Sequence, residues 1–254
     1  MGLRSRDRRV GPEHDPEKWT PVFGKRSCST TVWLAVLIAA ALVAGEGALV
    51  PARAEPASAP ELPANFRALA MSAGEPVIPG LTIVYLHPLG EPADANRWQN
   101  IIVHQTEGSP GSAKNMAQAQ AKNPTKRGVT IWVETDGTVY WSTAENAIPT
   151  HGDGANRNDN KYIDNSKTYH NVVKTNSIGV EFNGNYPDVT KPPTAAQAQA
   201  WLLLVRFLQE RYGIPADRIY AHNWIDYKDA RYCEGCELAT LARKLAYEPG
   251  KASE

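Results

Sequence analysis

Six histidines occur in the 254 residues, and His104 and His222 each close a β-prone run, Asn100–Gln105 and Arg218–His222. Strand alternation puts Ile102 and His104 on one face of the first run, and Tyr220 and His222 on one face of the second. Each imidazole then emerges where a strand gives way to a loop, the place where open α/β sheets build their sites. Cys233 follows His222 by eleven residues. Two neutral imidazoles and one thiolate form a zinc set whose fourth position stays open to water, as hydrolytic zinc sites require. Cys236 has two other outcomes open to it. It can close the fourth position, or it can bond to Cys233 and remove the thiolate.

A carboxylate and a guanidinium complete the chemistry. In Ser177–Asn183 (SIGVEFN), Ile178, Val180 and Phe182 point one way while Gly179, Glu181 and Asn183 point the other. Glu181 thus rises from the polar side of a central strand, where it can take a proton from an activated water and pass it to a leaving amine. Arg231, two residues before Cys233, offers a permanent positive charge to a developing oxyanion.

The elements that must hold these groups follow from patterning. Strands are expected at Leu81–Leu86, Asn100–Gln105, Val129–Thr135, Thr138–Ser142, Ser177–Asn183 and Arg218–His222, with Asp136-Gly137 turning the third into the fourth as a hairpin. The clearest helix opens with a capping box at Thr194 and Gln197, carries Trp201, Leu202, Leu204, Val205 and Leu208 on its apolar face, and stops at Gly213 and Pro215. Shorter helices are expected over Ser112–Ala121 and Cys236–Ala246. Strands interleaved with helices specify an α/β domain with its sheet covered on at least one face.

Composition bounds the rest. Hydrophobic residues are 42% and charged residues 21% of the chain, and Lys plus Arg and Asp plus Glu each total 27. Nothing in that balance points to a nucleic-acid partner or to electrostatic adhesion to a membrane, and the chain has room for one filled core. The charge is unevenly placed. Arg4, Arg6, Arg8, Arg9, Lys18, Lys25 and Arg26 precede an uncharged run from Thr31 to Gly45, and Ala52-Arg53-Ala54 offers a small-x-small cleavage pattern. Residues 1–54 therefore read as a signal peptide with a long n-region, or as an anchor if it is not cleaved, on a protein exported to the periplasm, the cell envelope or the outside. Residues 55–78, rich in Ala and Pro, read as a linker, 79–247 as the folded domain and 248–254 as a tail.

Several phrases in order carry a family likeness: residues 101–106 (IIVHQT), 133–139 (VETDGTV), 150–152 (THG), 176–184 (NSIGVEFNG), Thr194–Tyr212, and 221–235 from Ala221-His222 through Cys233-Glu234-Gly235. From Asn100 to Tyr247 the chain resembles the type-2 N-acetylmuramoyl-L-alanine amidases, a group that includes phage lysozyme-type amidases and animal peptidoglycan recognition proteins. The resemblance implies a mixed central sheet flanked by helices, Zn2+ as cofactor, and peptidoglycan or muropeptides as substrate. By it His104, His222 and Cys233 are zinc ligands and Glu181 is the catalytic glutamate. Arg231 stands where many members have a lysine near the transition state, and His151 matches a histidine lining the substrate groove. The implied reaction is attack of a zinc-activated water on the lactyl carbonyl, releasing the amine of L-alanine. A non-catalytic peptidoglycan-binding or sensing protein of the same fold is the alternative. Three departures stand out: Glu234 replaces the usual proline, the His222–Cys233 spacing is longer than in several members, and Val129 sits where some carry a tyrosine. Asp226, Asp229 and Cys236 are the other candidates for the third ligand.

Overall fold

The computed structural model describes residues 59–92, 97–152, 165–184, 191–226, 233–245 and 247–250. The basic N-terminal segment, its apolar run, Arg231 and Asp229 lie outside them. No helix among the described residues is long and apolar enough to cross a membrane.

Every expected strand forms, most of them shorter than its sequence pattern. They are β1 (Ile83–Tyr85), β2 (Asn100–Thr106), β3 (Ile131–Val133), β4 (Val139–Trp141), β5 (Ser177–Asn183) and β6 (Ile219–Ala221). They pair in the order β1-β4-β3-β5-β2-β6. The β3–β4 hairpin is antiparallel and the other four pairings are parallel, so the sheet is mixed. β2 and β5 are the two long strands and lie side by side in its interior, with β2 next to the edge strand β6. Their register sets His104 directly beside Glu181.

One face of this sheet makes the core. Ile101 and Val103 of β2, Ile131 and Val133 of β3, Ile178, Val180 and Phe182 of β5, and Ile219 and Ala221 of β6 all point into it. The long helix α4 (Ala195–Tyr212) seals that face, with Trp201 edge-on to Phe182 and Phe207 edge-on to Trp141. Its start is the expected capping box: Gln197 N–H donates to Thr194 Oγ1 at 3.1 Å, and Thr194 N–H donates to Gln197 Oε1 at 3.0 Å. These two bonds satisfy backbone donors that a helix otherwise leaves open. Helix α6 (Cys236–Lys244) joins the same core through Leu238, Ala239 and Ala242, and Trp201 Nε1 donates to Leu238 O at 2.8 Å.

The opposite face is covered only in part. Ala113 and Ala117 of α2 (Ala113–Lys122) pack on Val129 and Trp132, and a second small cluster joins Ile102, Tyr220, Val172 and Ile225, the last from the short α5 (His222–Ile225). Between these two clusters the alternate residues of β2 and β5 face a groove.

The described part of the expected linker, residues 59–78, is packed rather than extended as a tether. From Pro60 onward the described chain is packed against α4, and a short helix α1 (Phe66–Ala70) buries Phe66 and Ala70. A buried cation ties the segment down beside these apolar contacts. Arg211 donates through Nη1 to Ala70 O at 2.8 Å and Ser72 O at 2.9 Å, and through Nη2 to Gly90 O at 2.6 Å. Its Nε and Nη2 also meet the two carboxylate oxygens of Glu145 at 2.6 and 2.8 Å, and Tyr212 adds an O–H donor to the same carboxylate. Arg206 Nη1 donates to Pro60 O at 2.7 Å. Packed chain therefore reaches back at least to Pro60, ahead of the expected start at Pro79. Composition hid this, because the segment is held by its carbonyls rather than by an apolar period.

Candidate functional site

The C-terminal ends of two parallel strands, β2 and β6, deliver the two expected histidines to one point. His104 is the fifth residue of β2, and His222 follows β6 as the first residue of α5. Both are buried, at 3% and 2% exposure, yet their Nδ1 atoms lie 3.0 Å apart. A third donor meets them. Glu234 Oε1 is 3.2 Å from His104 Nδ1 and 2.9 Å from His222 Nδ1.

Cys233, the expected third ligand, is not that donor. It is bonded to Cys236 as a disulfide, which leaves no thiolate for a metal. The side chain of the intervening Glu234 enters the cluster instead. The loop is pinned on both sides: Asn223 N–H donates to Glu234 O at 3.3 Å, and Gly235 N–H donates to Gln105 Oε1 at 3.2 Å. Gly235 has φ of 80°, and a Cβ there would sit 2.9 Å from the carbonyl carbon of Val103. Only glycine lets the loop lie this close to β2, one residue from His104. Asp226, another candidate, is not grouped with these three atoms; its Oδ2 lies 3.9 Å from His222 Nε2, on the other side of the ring.

The three atoms suit a divalent cation. Zinc–ligand bonds of about 2.0–2.1 Å at tetrahedral angles put ligand atoms roughly 3.3 Å apart, close to the separations found here. Two imidazoles and a carboxylate are a recognised hydrolytic ligand set. The carboxyl of Glu234 is already biased toward its charged form. Burial alone would raise its pKa, but the facing imidazoles of His104 and His222 outweigh that and hold it well below the usual carboxylate range.

The cluster opens into a groove of about 640 Å³. Glu181 lines it, as its strand alternation predicts. Arg127 and Trp132 also line it, whereas Trp141 is wholly buried in the core. His151 borders the groove but is turned toward protein partners on both sides: Nδ1 is 3.2 Å from His104 Nε2, and Nε2 is 3.0 Å from Ser177 O. Its pKa is well below histidine's ordinary value, first because it is buried and then because His104 lies against it.

Sequence reasoning thus placed His104, His222, Glu181 and His151 around one groove and missed Glu234. The signal for Glu234 was a carboxylate flanked by two cysteines able to pair with each other. With the sulfurs paired, its carboxylate is the donor that meets both imidazoles among the described residues.

Residues 94–236 match the family model described as N-acetylmuramoyl-L-alanine amidase. No curated protein matches the chain. Among solved structures, similarity is found to the endolysin N-acetylmuramoyl-L-alanine amidase LysCS from Clostridium intestinale (17% identity, 58% of this chain and 84% of that one, TM-score 0.39). A mutant endolysin from Bacillus subtilis is similar at 17% identity, over 65% and 99% of the two chains, with a TM-score of 0.42. Wild-type Drosophila PGRP-LB is similar at 18% identity, over 57% and 79%, with a TM-score of 0.39. Likeness at these levels adds no weight to a functional reading.

Proposed function

The chain belongs to the N-acetylmuramoyl-L-alanine amidase family, and from that premise we propose that it is a zinc-dependent hydrolase. It cuts the amide between the lactyl group of N-acetylmuramic acid and the L-alanine of the peptidoglycan stem peptide. The observation that carries this reading is the meeting of His104 Nδ1, His222 Nδ1 and Glu234 Oε1 within 3.2 Å of one another, in a groove that Glu181 also lines.

Bound zinc would supply Lewis acidity, polarising the scissile carbonyl and lowering the pKa of water toward neutrality. The chain's own residues do the remaining work. His104, His222 and Glu234 hold the ion with one net negative charge among them, which leaves the site cationic toward an incoming carbonyl oxygen. Glu181, the register partner of His104 on β5, takes the proton from the attacking water and returns it to the departing amine. Arg231, outside the described residues, keeps its sequence-based role as the charge that faces the oxyanion, an effect worth about 3 kcal/mol where it has been measured in other enzymes. The basic N-terminal segment and apolar run support export to where peptidoglycan lies.

The test is mass analysis of muropeptides digested with and without a chelator, alongside zinc content of wild type, Glu234→Gln and Cys233→Ser. Release of free stem peptides that stops on chelation and returns with zinc supports the reading. Intact muropeptides at stoichiometric zinc would refute the hydrolase and leave a peptidoglycan-binding protein. If Cys233→Ser loses zinc while Glu234→Gln keeps it, the third ligand is sulfur and not the carboxylate.

A further inference from the structure

Among the described residues Arg127 is the one lysine or arginine that lines the groove, where it stands against the carboxylates of Glu107, Glu181, Asp226 and Glu234. Its side chain is exposed and, among the described residues, the guanidinium makes no hydrogen bond or ion pair. Arg206, Arg211 and Arg243, in contrast, are all spent on backbone carbonyls. We propose that Arg127 is a specificity-determining residue: it takes a free carboxylate of the stem peptide, and so draws the peptide half of the substrate from the His104–His222–Glu234 cluster toward β3 and α2. This rests on the amidase reading of the groove.

The backbone beneath the side chain is fixed. Arg127 pairs with Thr150 in a short parallel bridge. Thr150 N–H donates to Lys126 O at 3.0 Å, and Gly128 N–H donates to Thr150 O at 3.2 Å. The root of the side chain is thus held while its charged head stays available. Space continues past it. A second hollow, of about 280 Å³, shares Met116, Arg127 and Trp132 with the groove and adds Lys126. A ligand that leaves the groove on this side passes the guanidinium.

The strand register gives the distance. His104 of β2 lies beside Glu181 of β5, and Glu181 lies beside Trp132 of β3, so the three form one row across the sheet. Neighbouring strands are about 4.8 Å apart, which sets the Trp132 Cα about 10 Å from that of His104. A peptide advances about 3.3–3.6 Å per residue. The second or third stem residue therefore reaches this wall when the scissile carbonyl is held at the cluster.

Substrate chemistry selects the same half. In an uncut muramoyl peptide the N-acetylated sugars are neutral and the lactyl carboxyl is consumed in the scissile amide, so the free carboxylates belong to the stem. Glu107 and Glu181 repel such a group, and Arg127 is the complement that the groove offers it. A guanidinium also matches a carboxylate in shape, through two parallel N–H···O bonds that an ammonium cannot make.

The experiment compares two synthetic muramoyl tripeptides that differ only in their stem carboxyls, free in one and converted to carboxamides in the other. Wild type should cut the free acid with a KM about tenfold lower than that of the carboxamide, at similar kcat, because the contact lies away from the reacting bond. Arg127→Ala should bring the two KM values within twofold, and Arg127→Lys should keep part of the difference. Calorimetric binding of both tripeptides to chelator-treated protein should repeat the ratios without turnover. Equal or tighter use of the carboxamide by wild type, or a preference undiminished in Arg127→Ala, overturns the proposal; the wild-type comparison needs no substitution. A binding preference with neither tripeptide cut would overturn the amidase reading and leave the carboxylate subsite standing. Neither binding nor turnover would overturn both.

Discussion

Gly235→Ala is the sharpest test of how the third donor is placed. The added methyl would lie 2.9 Å from the Val103 carbonyl carbon and 3.2 Å from the Val103 Cβ, where carbon atoms settle at roughly 3.5–4.0 Å. The loop must therefore retreat from β2 by about 1 Å. Alanine at a φ of 80° adds on the order of 1–2 kcal/mol of backbone strain, which predicts a melting temperature lower by roughly 2–8 °C. The larger effect is local. Glu234 precedes Gly235 and its Oε1 now lies 2.9 and 3.2 Å from the two imidazoles. A displacement near 1 Å takes it out of that geometry and should reduce amidase turnover about 100-fold. The assay pairs turnover with zinc competition in Gly235→Ala, Glu234→Ala and the double variant. If Gly235 acts through Glu234, the double variant is no worse than Glu234→Ala alone. Wild-type affinity and turnover in Gly235→Ala, or additive losses in the double variant, would refute the reasoning.

Three further outcomes are expected. Arg211→Met strands the buried Glu145 carboxylate and should cost about 3–5 kcal/mol in chemical denaturation, with much of it recovered when Glu145 is also made apolar; a loss under 1 kcal/mol would show the clamp to be ornamental. Thr194→Ala removes the capping bond to Gln197 and should cost about 1 kcal/mol with turnover unchanged. Glu134 accepts from the backbone of Gly111, Thr135 and Ala113 and from the Asn183 amide, and although burial alone would raise its pKa these bonds lower it. A carboxyl depressed in the folded state stabilises the fold above its unfolded pKa, and that contribution disappears as pH falls through the folded value. Stability measured from pH 6 to pH 3 should therefore fall less steeply in Glu134→Gln than in wild type, and identical slopes would remove Glu134 as a cause.

What was legible in the sequence is what local chemistry dictates. The alternation in Ser177–Asn183 put Glu181 on the groove side, the Thr194–Gln197 box started α4, and Asp136-Gly137 turned the hairpin, because each depends on residues close in the chain. The strands at 83–85 and 131–133 are shorter than their apolar patterns, since pairing partners rather than propensity end a strand. What stayed hidden depends on distant partners. Glu234 becomes a donor only when the two flanking sulfurs join and Gly235 settles on β2. Residues 60–78 become structure through contacts far along the chain, with Phe66, Ala70 and Ile78 in the core and Arg211 on the carbonyls of Ala70 and Ser72. His151 was legible as a groove residue from its motif, but its engagement with Ser177 O and His104 needed the β2–β5 register.

The Arg211 clamp has a consequence for the order in which the polypeptide matures. Ala70 and Pro60 leave the ribosome long before the guanidinium groups that seat them, which lie 141 and 146 residues later. At a synthesis rate of about 5–20 residues per second, the early segment passes roughly 7–30 seconds with no seat to occupy. A nascent chain cut before Arg206 therefore has nowhere to dock its own beginning, and closure of the domain is a late event in biosynthesis.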